Sequence, residues 1–486
     1  MKTLQDILYK VSIESISGNT TTVVSSLTFD SRKIEEGALY VAQKGTLSDG
    51  HDFIDQAIEN GAIAIVCEKL PKKRMAKVVY IEVPNASKAL GIMASNFYNN
   101  PSKQLTLVGV TGTNGKTSIS TLLYHLFEAE GFACGLISTV AVRFANLMHE
   151  NTHTTPDQLT LNRYLNEMVN AGVTHCFMEV SSHGIAQNRI EGLHFSGGIF
   201  TNLTHDHLDY HGDFKTYRDT KKQFFDQLPS TAFALTYLDD KNGSFMIQNT
   251  RAKKYGYALH QHADFKAQVL ECQFSGMLLK IQEREVWTQL VGRFNVQNLL
   301  AVFATARLLE LEAMDILQQI STLQPVKGRF QTFQSPNKIT VVIDYAHTPD
   351  ALENVLQTIN EIRTRNERLF TVLGCGGNRD KEKRPLMGKI AAMLSDKVIF
   401  TSDNPRDEDP AQIIKEMIQG VTPEDYKKTL TVTLREEAIA MSGELAQNGD
   451  IVLIAGKGHE SYQEINGKRR PFNDVEVAQK IFLKTE

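Results

Sequence analysis

The chain has 486 residues, 42% hydrophobic and 22% charged, which is ordinary globular usage; a fibre or a disordered chain is excluded, and several hydrophobic cores are expected. Lys and Arg number 52 against 56 Asp and Glu, a net charge of −4, so no global basic bias points to nucleic acid or to an anionic membrane. Five cysteines (Cys67, Cys134, Cys176, Cys272 and Cys375) lie far apart with no C-x-x-C, which argues against a disulfide framework and for a reducing compartment.

The opening MKTLQDILYKVS carries Asp6 and Lys10 and no signal-like apolar stretch. No apolar run approaches the ~20 residues of a membrane helix, so a cytoplasmic protein without a membrane span is expected. Ala62–Cys67 and Val78–Val83 read as buried strands. Leu105–Val110, Val173–Val180 and Ile199–Thr201 follow, then Lys338–Ile343, Leu369–Leu373, Lys397–Thr401 and Ile451–Ala455. Helical periods lie between them, at Ile119, Leu122, Leu123 and Leu126, and at Val296, Leu299, Leu300 and Phe303. Strands alternating with helices predict an α/β architecture with mainly parallel sheets. Asn99–Ser102 and Gln334–Asn337 read as linkers, dividing the chain into three domains at 1–103, 104–336 and 337–486. Pro71–Arg74 reads as a solvated basic loop.

The strand Leu105–Val110 runs into Thr111-Gly112-Thr113-Asn114-Gly115-Lys116-Thr117, and a helix follows, which is the context of a phosphate-binding loop. The glycines let backbone N–H groups close around phosphate oxygens, and the helix N-terminus adds partial positive charge. Lys116 would reach the terminal phosphates of ATP, and Thr117 would ligate Mg²⁺. Val110 stands where the full pattern has its first glycine. Glu179, closing the strand before Ser181-Ser182-His183-Gly184, is a second candidate Mg²⁺ ligand.

Thr204–Asp213 permits a rival reading. His205, His207 and Asp209 fit the H-x-H-x-D-H spacing of dinuclear zinc hydrolases, but Tyr210 intervenes before His211. In the last third, four strands end in polar loops: Asp344–Asp350, Gly374–Asp380, Ser402–Arg406 and Gly456–Glu460. Ligands bind beyond the carboxyl ends of strands in open α/β sheets, and Arg379 and Arg406 could each grip a carboxylate. Gly374–Gly377 only weakly resembles a dinucleotide fingerprint.

Val110–Ser118, Met178–Arg189, Thr201–Asp213, Gly292–Val302, Asp344–Leu352, Gly374–Gly388, Ser402–Arg406 and Ala455–Glu460, in this order, resemble the Mur ligases. The likeness spans nearly the whole chain from Asp30-Ser31-Arg32 onward, and the DNPR and GKGHE motifs are its most specific part. It implies an N-terminal UDP-binding domain, a central ATPase and a C-terminal Rossmann-like domain. The implied reaction is ATP-dependent addition of meso-2,6-diaminopimelate to the D-Glu γ-carboxylate of UDP-N-acetylmuramoyl-L-Ala-D-Glu, by a monomer. L-lysine as the added amino acid and a folylpolyglutamate-type ligase are alternatives.

The resemblance puts Phe29, Ser31, Thr46, Leu47 and Ser48 at the UDP end. Thr154, Thr155, Ser181, Gln187 and Arg189 lie along the muramoyl-peptide, and His153 stands where relatives often carry Asn. Gly112, Thr113, Asn114, Gly115, Lys116, Thr117, Ser118, Asn295, Arg329, Asp344 and His347 are implied to hold ATP. Arg379, Asp403, Asn404, Pro405, Arg406, Gly456 and Glu460 would hold diaminopimelate. Thr117 and Glu179 would take one Mg²⁺; His207 and Lys221, as a carbamate (N6-carboxylysine), would take a second. Lys116, Glu179, His207 and Lys221 form the implied catalytic set.

Overall fold

The computed structural model describes residues 2–45, 48–149 and 153–483. It is a three-domain α/β protein, each domain built on its own sheet. The first sheet runs in the order Ser15–Ser17, Val79–Glu82, Ala62–Cys67, Ala38–Val41, Leu27–Thr28; only its first pair is antiparallel. Its two faces are covered separately, one by Leu90 and Met93 of the helix Ala86–Phe97, the other by Ile54 and Ala57.

The second sheet has eleven strands. Its centre is parallel, in the order Cys134–Ile137, His175–Glu179, Thr106–Thr111, Gly197–Phe200, Phe233–Tyr237, Lys253–Ala258. Side chains alternate across it. Val108 and Val110 pack on one face with Ile119, Leu122, Leu123 and Leu126 of the helix Lys116–Ala129; Leu107 packs on the other with Phe224 and Phe225. That two-sided burial is why parallel strands read as continuous apolar runs. The second helical period lies on Arg293–Leu308, also buried. An antiparallel meander, Phe265–Gln273, Gly276–Ile281 and Arg284–Thr288, extends one edge and was not expected from the sequence.

The third sheet is ordered Gln331–Gln334, Thr340–Asp344, Ile451–Ala455, Leu369–Leu373, Lys397–Phe400, Thr429–Thr431, parallel except for its first pair. Gln331–Gln334 thus pairs into the third sheet, although the sequence reading left it in the middle segment. Among the described residues no helix is long and apolar enough to cross a membrane.

Candidate active site

The strand Thr106–Thr111 delivers the chain to the phosphate loop, and the helix begins at Lys116. Gly112 has φ 151°, and a Cβ there would sit 1.9 Å from Thr201 Oγ1; Gly115 has φ 87°, with Asn298 Oδ1 at 2.6 Å from its would-be Cβ. Only glycine fits either place. Val110 lies within the strand, paired with Glu179 and Ile199, so the missing first glycine costs the loop nothing. Thr201 Oγ1 donates to Asn114 O at 2.6 Å, Asn114 N donates to Asn202 Oδ1 at 2.9 Å, and Thr113 Oγ1 lies 3.0 Å from the Tyr217 hydroxyl. Thr117 and Ser118 are buried in the first helical turn.

Two lysines converge on one carbonyl. Lys116 Nζ donates to Gly112 O at 2.9 Å and Thr113 O at 2.8 Å. Lys221, on the helix Phe214–Asp226, is 1% exposed and donates to the same Gly112 O at 2.9 Å. Burial, and then the Lys116 charge, pull the Lys221 amine well below its ordinary range, which favours the neutral, nucleophilic form. Lys222, by contrast, is tied to Asp226 at 2.6 and 2.7 Å.

Glu179 is fully buried, with Oε1 accepting from Thr139 N at 2.7 Å and Oε2 from Thr139 Oγ1 at 3.1 Å. Its pairing with Val110 sets it beside the phosphate loop. Thr117 and Glu179 are buried oxygen donors, the donor chemistry that suits Mg²⁺. His207 has a left-handed backbone (φ 55°), and burial holds its imidazole down, to about 3, against the pull of Asp206. The zinc spacing does not become a zinc site. Among the described residues, the His/Cys/Asp/Glu group whose ligand atoms all lie within 4.8 Å of one another is His205, Asp380 and Glu382, without His207, Asp209 or His211. His211 packs instead against the rings of Tyr210 and Tyr217.

The third domain closes over this loop. Asn114 Nδ2 donates to Asp350 Oδ2 at 3.0 Å, and His205 Nε2 meets Asp380 Oδ2 at 3.2 Å. Arg329 lies over the Tyr345 ring, 4.4 Å from its centroid, with Nη2 3.4 Å from Thr117 Oγ1. The Asp344 carboxylate accepts from Phe330 N and Ala346 N, each at 2.7 Å, and burial raises its proton affinity. His347 Nδ1 lies 3.1 Å from Tyr345 O; burial, then the Lys383 charge, lower its imidazole to about 4. Asn295 is turned inward, donating to Val291 O at 2.8 Å.

Beyond the next strand ends, Asp403, Asn404 and Pro405 are buried and Arg406 is half-buried with φ 50°. Arg406 Nη1 donates to Gly377 O at 2.6 Å, and its N to Glu464 O at 3.0 Å. Arg379 is exposed on the neighbouring loop. Gly456 has φ 117°, and a Cβ there would lie 2.8 Å from Asp403 Oδ2. Glu460 Oε2 accepts from Asn404 Nδ2 and Lys457 Nζ, each at 2.8 Å. Lys457 was not singled out from sequence, although it lies inside the GKGHE motif; a lysine between glycines and before a glutamate was the available signal.

Thr155 Oγ1 donates to Glu179 O at 2.9 Å and accepts from Ser181 N at 3.0 Å; Arg189 Nη1 donates to Thr155 O at 2.6 Å and Nη2 to Gln187 Oε1 at 2.7 Å. Thr154 Oγ1 lies 3.1 Å from Thr139 Oγ1, so this group borders Glu179. Phe29 and Ser31 belong to the first domain, where Asp30 caps the turn Ser31–Lys33 and pairs with Arg32 at 2.8 and 2.9 Å. Ser48 O accepts from Gly45 N at 2.9 Å; Thr46 and Leu47 lie outside the described residues.

Three family models match in succession: "Mur ligase family, catalytic domain" over residues 23–98, "Mur ligase middle domain" over 110–306, and "Mur ligase, glutamate ligase domain" over 328–458. The chain is 52% identical to a UDP-N-acetylmuramoyl-L-alanyl-D-glutamate–2,6-diaminopimelate ligase of Cytophaga hutchinsonii, covering 97% of each chain. It is 50% identical to the protein of the same name from Bacteroides thetaiotaomicron, covering 99% of each. A solved structure of a ligase so named superposes with TM-score 0.69 at 33% identity, covering 99% of this chain and 98% of that one. With likeness of this degree over its full length, following the same domain order as its three sheets, the chain belongs to the Mur ligase family.

Proposed function

We propose that this chain is an ATP-dependent ligase that joins 2,6-diaminopimelate to UDP-N-acetylmuramoyl-L-alanyl-D-glutamate, a cytoplasmic step of peptidoglycan precursor synthesis carried out by a monomer. One observation carries the reading: the middle domain meets the strand-end loops of the third, the phosphate loop through Asn114–Asp350 and the histidine run through His205–Asp380, next to Arg379. The names of the full-length relatives support the choice of substrates.

The γ-carboxylate of the D-Glu residue attacks the γ-phosphorus of ATP, forming an acyl phosphate and expelling ADP. The diaminopimelate amine then attacks the acyl carbon, and the tetrahedral intermediate collapses with loss of phosphate. The first step brings two anions together, so the loop amides and Lys116 must neutralise and align the phosphates. Thr117 and Glu179 would hold one Mg²⁺, and His207 with the carbamate of Lys221 a second; bound Mg²⁺ supplies further neutralisation of phosphate charge. A neutral Lys221 amine adding to CO₂ and losing a proton becomes an anionic oxygen donor, which the low basicity of this buried amine favours. Thr154, Thr155, Ser181, Gln187 and Arg189 would carry the muramoyl-peptide, with Phe29, Ser31 and Ser48 at the uridine end. Arg379 and Arg406 would each take a carboxylate of diaminopimelate, and Asp403, Asn404, Gly456 and Glu460 its remaining polar groups.

The test is ADP release by the purified chain with Mg²⁺, ATP and the UDP-muramoyl-dipeptide, adding diaminopimelate, L-lysine or no amino acid. Release that needs both the nucleotide-peptide and diaminopimelate is expected. Release with lysine in its place would overturn the substrate choice, and no release with either would overturn the ligase reading.

A further inference from the structure

We propose that Lys457 is a positioning residue for the amino-acid half of the reaction: from beneath the rim it fixes the Asn404 amide and the Glu460 carboxylate in the orientation that receives the diamino acid. This rests on the reading of that rim given above.

The Lys457 side chain is 0% exposed, so it is placed to act through its neighbours. Its ammonium donates to Asn404 Oδ1 at 3.1 Å and Glu460 Oε2 at 2.8 Å, and Asp403 Oδ1 lies 3.8 Å away. All three partners are rim residues, and a lysine serving only the fold has no reason to select them. Asn404 Oδ1 also accepts from Glu464 N at 2.9 Å. Two donors on one amide atom identify it as the oxygen, so Nδ2 must face Glu460, where it donates at 2.8 Å. A flipped amide would set its NH₂ against an ammonium and a backbone N–H.

The charge count adds a second consequence. Asp403, Glu460 and Asp474 face two buried cations, Lys457 and Arg435, so the cluster keeps one negative charge in excess, suited to a substrate that arrives as an ammonium. Burial, then Asp403, raise the proton affinity of Glu460, and Lys457 opposes them. Lys457 therefore opposes protonation of Glu460 as well as aiming it. Gly456 and Gly458 flank it with φ 117° and 52°, and a Cβ at Gly458 would fall 2.6 Å from Gly328 O. That close approach holds the loop path that points the lysine inward.

The experiment compares the full-length wild type with Lys457→Met and Lys457→Gln by steady-state ADP release. Diaminopimelate, then ATP, is varied with the other substrates saturating, and thermal melting is recorded for each protein. In Lys457→Met the KM for diaminopimelate should rise about tenfold or more, the effect of an orphaned buried charge beside the site. The KM for ATP should stay within about twofold of the wild type. Lys457→Gln, which can still donate to Asn404 Oδ1, should fall between the two. A diaminopimelate KM within about threefold of wild type in either folded variant, or a parallel rise in both KM values, overturns the proposal. Melting of both variants below the assay temperature also overturns it, since the residue is then structural. A wild type that ignores diaminopimelate defeats the function proposed above instead, so the two failures are distinct.

Discussion

Replacing Arg406 by alanine tests the substrate choice most directly. The guanidinium is half-buried, and its Nη1 is held by Gly377 O at 2.6 Å, which fixes the plane of the fork and leaves Nε and Nη2 to pair with a carboxylate. Truncating one partner of such a pair costs about 2–5 kcal/mol, or about 30- to several-thousand-fold in kcat/KM for diaminopimelate. The left-handed backbone at φ 50° is strained for any side chain with a Cβ, so alanine inherits the strain and stability should change by less than about 1 kcal/mol. L-lysine carries the same far ammonium but a hydrogen where diaminopimelate has its far carboxylate, so it gains nothing from the guanidinium. Its kcat/KM should hold or rise, and the preference for diaminopimelate should collapse by the same factor. A coupled ADP-release assay with both amino acids reads this ratio. Diaminopimelate kcat/KM within about threefold of wild type, in protein that melts normally, would refute the reasoning.

Gly112→Ala would drive its Cβ to 1.9 Å from Thr201 Oγ1 and should lower kcat/KM for ATP about 100-fold or more, whereas Gly131→Ala, with nothing within 4 Å of the new Cβ, should keep activity and lose only about 1 kcal/mol of stability to its positive φ. Lys221→Met should abolish ADP release, and stripping CO₂ from the buffer should slow the wild type until bicarbonate is returned; wild-type rates insensitive to bicarbonate would count against the carbamate. Hydrogen bonds from the buried Arg384 hold the Glu408 carboxyl down to about 2 from an ordinary 4.5. A depressed carboxylate stabilises the fold above its unfolded value and loses that contribution as pH falls through the folded one, so the urea-midpoint gap between wild type and Glu408→Gln should close between pH 4.5 and about 2. Arg435→Met leaves Asp474 without the guanidinium that bonds it at 2.7 and 2.8 Å, both side chains being 0% exposed, and should cost about 3–5 kcal/mol in urea unfolding.

The parallel strands were legible because burial on both faces leaves an uninterrupted apolar run, as in Ala62–Cys67 and Ile451–Ala455. The meander from Phe265 to Thr288 was not, because its exposed face breaks those runs with Glu271, Glu285 and Arg284. Gln331–Gln334 is polar at three of its four positions and only partly buried, so it resembled the linker that follows. The phosphate loop was visible because its glycines, Lys116 and Thr117 are contiguous. The cluster beneath the amino-acid rim was not, since Lys457 acts on Asn404 from 53 positions away and its burial has no sequence signature. The zinc-like spacing of His205, His207 and Asp209, a rival reading that Tyr210 already interrupted, makes no site because spacing says nothing about direction; the left-handed turn at His207 and the contact of His205 with Asp380 send the side chains apart.

Arg329 lies just ahead of the first strand of the third sheet, and its guanidinium reaches Thr117 in the middle domain. Its nearest anchor, Asp344, accepts from Phe330 N within that same sheet, and Gly328 is wedged against Gly458. Arg329 therefore travels with the third domain. A swing of that domain away from its neighbour would draw that guanidinium away from Thr117 at the start of the phosphate-loop helix. On the function proposed above, opening the cleft to discharge the product and loosening the hold on spent nucleotide would be one mechanical event, coupling the two exits without a separate latch.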